Sequence, residues 1–135
     1  MTVQEFLRGR FDALQRRDFE TVYLSYHQSS PFRQQFTGSA EYLEFARQQL
    51  QGVSLKTWCC LAERSLPAGQ VECILQMDLE VAGQSLRLYE LALLVQGDGC
   101  WCYHSAQKLN EDEYRGLPDD ISFEHFDAVS EKIRF

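Results

Sequence analysis

The chain predicts an α+β domain in which N-terminal helices pack on a curved four-stranded antiparallel sheet, followed by a C-terminal helical tail. Three observations carry this. Apolar residues recur at helical spacing up to about residue 50, and the pattern changes to alternation after Gly52. Turn-forming residues then divide the alternating region into four runs. Helices that all precede a strand meander are segregated to one face of its sheet.

The first helix opens on Thr2-Val3-Gln4-Glu5, where a hydroxyl and a carboxylate three residues apart fit a capping box. Val3, Phe6, Leu7, Phe11 and Leu14 form its core stripe. Asp18 caps a second, short helix carrying Phe19, Val22, Tyr23 and Tyr26, and Ser29-Ser30-Pro31 interrupts it. Ser39 is placed to cap a third helix with Tyr42, Leu43, Ala46 and Leu50, ending at Gly52. Strands follow over residues 55–66, to Pro67-Ala68-Gly69, and over 71–81, where Val71, Cys73, Leu75, Met77, Leu79 and Val81 share one face. A turn at Gly83-Gln84 leads to the third strand, and Gly97-Asp98-Gly99 leads to the fourth over residues 100–109. These elements make one domain over residues 1–109. The acidic extension over 110–135 holds eight carboxylates against Arg115, Lys132 and Arg134. Ser122 can cap a docking helix there, with Phe123, Phe126, Val129 and Ile133 as its stripe.

At 135 residues the chain supports one core and not two. The net charge of −7 argues against nucleic acid, whose phosphates reward a basic face. Arg8, Arg10, Arg16 and Arg17 read as a solvated helix face. No apolar run approaches the ~20 residues of a membrane helix, and the first residues lack a signal-peptide pattern. Five cysteines with strand-like placement fit buried thiols in a reducing cytosol, so a cytoplasmic location is expected. Cys59-Cys60 and Cys100-x-Cys102 lack the curled spacing of a metal knuckle, so neither metal nor cofactor is expected. None of the cysteines has a visible cause for a depressed pKa.

Glu90 stands out, since it interrupts Leu86-Arg87-Leu88-Tyr89-Glu90-Leu91-Ala92-Leu93-Leu94-Val95, a run that otherwise favours burial. A two-residue Gly83-Gln84 loop pairs Met77 with Glu90 and turns the carboxylate toward the helices. Structural anchor, ligand orienter and general acid or base are its three open roles, with Tyr23 or Tyr26 as candidate hydrogen-bond partners. His27 and His104 are possible proton-transfer partners, although His27 also suits a helix C-terminus. A two-residue Asp98-Gly99 turn pairs Leu94 with Tyr103, putting Tyr103 inward and His104 outward. His125 reads as solvated. Tyr26, His27, Trp58, Met77, Glu90, Trp101 and Tyr103 are therefore the candidate pocket residues. Tyr89, Leu91, Leu93 and Val95 face the other way and need a second cover, either the tail or another copy of the chain. That need is the argument for a homodimer.

Arg10-Phe11-Asp12-Ala13-Leu14, Asp18-Phe19, Tyr26-His27, the Glu90 strand and Gly99-Cys100-Trp101-Cys102-Tyr103 follow one another in an order that resembles the nuclear transport factor 2-like superfamily. Within it, the chain looks most like the YchJ-like middle domain of SEC-C motif proteins, over roughly residues 6–107. The resemblance implies a cone-shaped, cystatin-like roll of the kind shared with ketosteroid isomerases, polyketide cyclases and scytalone dehydratase. Ala92 and Leu94 stand where the family tends to carry a serine and an aromatic, and His104-Ser105 replace its usual Asp-Gly. No cysteine-rich SEC-C segment is present, so its zinc does not carry over. The expected function is binding of a small apolar ligand or protein partner through the cone. The alternatives are a proton-transfer isomerase, cyclase or dehydratase using Glu90, and an assembly module.

Overall fold

The computed structural model describes residues 1–110 and 113–127. Helices α1 (Val3–Gln15), α2 (Phe19–Ser25) and α3 (Ser39–Gln49) precede strands β1 (Val53–Ser65), β2 (Val71–Val81), β3 (Gln84–Gly97) and β4 (Cys100–Asn110), and a short helix α4 (Phe123–Asp127) follows. The strands form one antiparallel sheet in the order β1-β2-β3-β4, so the fold is the expected α+β meander.

Local chemistry sets the helix starts. Thr2 Oγ1 accepts from Glu5 N at 3.1 Å, and Asp18 Oδ1 accepts from Thr21 N at 3.3 Å, each satisfying an amide that the helix leaves unpaired. The third helix departs from expectation. Ser39 is its first residue and Gly38 its cap, with no capping side chain. The Glu41 carboxylate instead accepts from both the amide and the hydroxyl of Thr37, just outside the helix.

The β2–β3 turn also differs from the expected one. Ala82 and Gly83 occupy it, with φ of 52° and 82°, so Val81 pairs with Gln84 and Leu75 with Glu90. Met77 pairs with Leu88 rather than Glu90. The error is two residues, which preserves facing, so Glu90 still shares the face of Leu75 and Met77. At the β3–β4 turn, Asp98 and Gly99 take φ of 51° and 81° and Leu94 pairs with Tyr103. Both turns have the doubly left-handed backbone that matches strand twist.

Two apolar layers cover the two faces of the sheet. On the helical side, Phe6, Leu7 and Phe11 pack on Cys73, Leu75, Met77, Ala92, Leu94, Tyr103 and Ala106. On the outer side, Tyr114, Ile121 and Phe126 of the tail cover Ile74, Tyr89, Leu91 and Leu109. Polar clips hold the tail there. Gln107 Nε2 donates to Phe126 O at 3.1 Å, and Arg64 bridges the buried Glu72 at 2.7 Å to Asp127 at 3.5 Å. The Arg64 guanidinium also lies 4.2 Å from the centre of the Phe123 ring. The described part of the extension, residues 113–127, thus docks on its own sheet; Val129 and Ile133 of the expected stripe lie outside the described residues. No helix among the described residues is long and apolar enough to cross a membrane.

Candidate functional site

A cavity of about 430 Å³ lies between the helices and the sheet. Phe11, Val22, Phe32 and Tyr42 contribute from the helical side, and Met77, Leu79 and Leu88 from the sheet. A second cavity of about 200 Å³ is lined by Tyr26, Phe32, Glu90, Tyr103, Ala106 and Lys108. Tyr26, Phe32, Glu90 and Lys108 border both spaces, so the polar groups gather where the two meet. Apolar walls with a few convergent polar groups are what a small-molecule site requires.

Glu90 is 7 % exposed and Arg10 8 %. Arg10 corrects the reading of its helix: it is not part of a solvated face. It donates to the hydroxyls of Ser25 at 2.5 Å and Tyr26 at 3.0 Å. Its guanidinium lies 3.8 Å from the Tyr103 ring centre and 4.5 Å from that of Tyr26. Burial opposes the Arg10 cation, but Tyr26, Tyr103 and Glu90 offset it and hold its pKa above the ordinary value. The signal was available, because Arg10 is three residues after Leu7 and four before Leu14, inside the apolar stripe.

Tyr103 is 2 % exposed, and its hydroxyl is buried without a hydrogen-bond partner. Burial chiefly, then the nearby Glu90 carboxylate, pushes its pKa well above the ordinary tyrosine range; Arg10 works in the other direction. Burial likewise lifts Tyr42 to about 12. A raised tyrosine pKa gives stability that is complete below the unfolded value of about 10 and is lost as pH climbs toward the folded value. Urea stability should therefore decline from about pH 10 upward, and Tyr103→Phe should flatten that decline. An unchanged slope in the variant would assign the effect to other groups.

Lys108 reaches this site through an irregularity. Leu94 pairs with Tyr103 but Leu93 pairs with Ser105, leaving His104 as a bulge. Beyond it, Glu90 pairs with Lys108, which now shares its face. Without the extra residue Lys108 would sit on the outer face.

The other expected pocket residues disperse. Tyr26, Met77, Glu90 and Tyr103 line the two cavities, whereas His27, Trp58 and Trp101 line neither. Trp58 stacks on Phe11 at 4.5 Å, and Trp101 packs partly buried against the core. His27 does not cap α2: the helix ends at Ser25, and His27 N donates to Tyr103 O at 2.9 Å. Its Nδ1 accepts from Ser29 N at 3.0 Å, and its ring lies 6.4 Å from that of His104. His125 is exposed and its Nδ1 accepts from Ser122 N at 3.0 Å.

The cysteines also differ from expectation. All five are free, yet only Cys73 is buried; Cys59 and Cys100 are exposed, and Cys60 and Cys102 are intermediate. The Cys60 thiol has a cause for a lowered pKa after all. Hydrogen bonding from Cys73, helped by Gln4 and opposed by burial, brings it down to about 7.

No family model matches the chain, and neither does any curated protein. The fold and cavities therefore define the class: an α+β domain with a partly open, largely apolar space and a polar junction at Glu90.

Proposed function

We propose that this chain is a nuclear transport factor 2-like domain that binds a small, mostly apolar molecule bearing one hydroxyl or carbonyl end. The observation that carries the reading is the buried Tyr103 hydroxyl, which has no hydrogen-bond partner and belongs to the lining of the smaller cavity together with Glu90. A buried hydroxyl without a partner costs stability, about 1–3 kcal/mol. A ligand oxygen that accepts from Tyr103 removes that cost, and a ligand hydroxyl can also donate to Glu90. The apolar body would lie against Met77, Leu79 and Leu88.

The test is Tyr103→Phe. If the hydroxyl serves a ligand, its removal leaves folding stability unchanged or up to about 1 kcal/mol higher, because no native bond is lost. Binding of apolar alcohols and ketones, followed by methyl NMR shifts of Met77, Leu79 and Leu88, should weaken about tenfold, the loss of roughly one hydrogen bond. No shifts with any compound of such a panel would sink the reading.

One observation favours a second reading, proton transfer. Glu90 has the partner that an acid or base needs, because the Tyr103 hydroxyl stays protonated beside it. A bound ketone would place its oxygen at Tyr103 and an α-proton at Glu90. Solvent deuterium entering that α-position, and failing to do so in Glu90→Gln, would support catalysis. Binding without exchange would leave the domain a binder.

A further inference from the structure

Away from both cavities, Cys60, Glu63 and Cys73 bring two thiol sulfurs and a carboxylate oxygen within 4.8 Å of one another. A β-bulge makes this possible. Cys60 pairs with Leu75, but Ala62 pairs with Ile74, so Leu61 is an extra residue in β1. Glu63 consequently pairs with Cys73 on the helical face, three residues from Cys60 rather than the usual two. In a regular strand Glu63 would have faced outward, opposite Glu72.

We propose that Cys60, Glu63 and Cys73 form a binding site for a thiophilic divalent ion of the zinc class. Two thiolates and one carboxylate are a donor set that zinc accepts, and the softness of sulfur selects it over magnesium or calcium. A tetrahedral ion with Zn–S of about 2.3 Å and Zn–O of about 2.0 Å holds its donor atoms roughly 3.5–3.8 Å apart. The donor atoms, all within 4.8 Å of one another, need to close by at most about 1.3 Å to reach that spacing. Outer support is also in place: Gln4, in the first turn of α1, donates from Nε2 to Glu63 Oε1 at 2.6 Å. Glu63 is exposed, Cys60 half-buried and Cys73 fully buried, so an ion has an entry path and an anchored end. Three protein donors leave the fourth position for water. Neither Cys60, Glu63 nor Cys73 borders the cavities at Glu90, so this site stands independently of the ligand reading.

The experiment is a cobalt(II) titration of the reduced full chain under anaerobic conditions, with zinc competition. One equivalent should produce a near-ultraviolet thiolate-to-cobalt charge-transfer band and intense visible bands of a four-coordinate ion, both abolished by zinc. Cys60→Ser should lose most of the charge-transfer band, while replacement of Cys59, Cys100 and Cys102, which lie outside the cluster, by Ser should retain it. Gln4→Ala, which removes only the outer partner, should weaken zinc about tenfold and keep the band. Because Cys73 is part of the core and its variant could unfold, X-ray absorption of the zinc-loaded native chain supplies the independent check, with two sulfur and two oxygen neighbours expected. No charge-transfer band, a band that survives in Cys60→Ser, or a shell without two sulfurs would each overturn the proposal.

Discussion

Replacing Phe126 by alanine is expected to lower stability by about 3–5 kcal/mol, the usual cost of removing a fully buried phenylalanine. Phe126 is 0 % exposed and packs with Ile74, Tyr89, Leu91, Leu109, Tyr114 and Ile121. Its effect extends beyond a local cavity. The described tail is held to the sheet by Tyr114, Ile121 and Phe126 together with the Arg64 and Gln107 clips. Loss of the central ring should loosen the segment and bare the outer face at Tyr89 and Leu91. An uncovered apolar sheet face seeks another copy of itself. Urea denaturation should show the loss, and light scattering should show the variant associating more than the native chain. A variant equal to the native chain in both measurements would mean that the tail is not a structural cover.

Arg10→Met should cost about 2–4 kcal/mol. Methionine keeps the apolar length of the side chain but removes two donors and a cation lying over two aromatic rings. Glu90 would also lose a nearby positive charge while remaining buried. Against a usual total of about 5–15 kcal/mol, such a loss is large. Arg8→Met is the matched control, since Arg8 is exposed on the same helix and its replacement should stay within about 0.5 kcal/mol. Equal urea midpoints for the two variants would refute the structural role assigned to Arg10.

The Arg10 case shows why a readable pattern still misled. Cationic residues on a helix are usually solvated, but Arg10 lies between Leu7 and Leu14 on the apolar stripe and is buried with it. The ring of Tyr103 that Arg10 covers is distant in sequence, so nothing local marked it as special. Phe32, which borders both cavities, lies in the connection between α2 and α3, where no period exists to read. By contrast, Thr2, Asp18 and the Asp98-Gly99 turn act through neighbours a few residues away, and their roles were legible.

The alternation of β2, the helical stripe of α1 and the inward facing of Glu90 follow from period and parity, which a linear pattern carries. Even the two-residue error at the β2–β3 turn left Glu90 on its proper face, because side chains repeat every second residue. Bulges obey no such rule. The extra residue at His104 turns Lys108 toward Glu90, and the extra residue at Leu61 turns Glu63 toward Cys60 and Cys73. Each inserts one residue against a partner strand and so reverses the facing of everything beyond it. Neither His104 nor Leu61 advertises this. The choice is made by how β1 and β4 fit their neighbours, and both candidate sites depend on it.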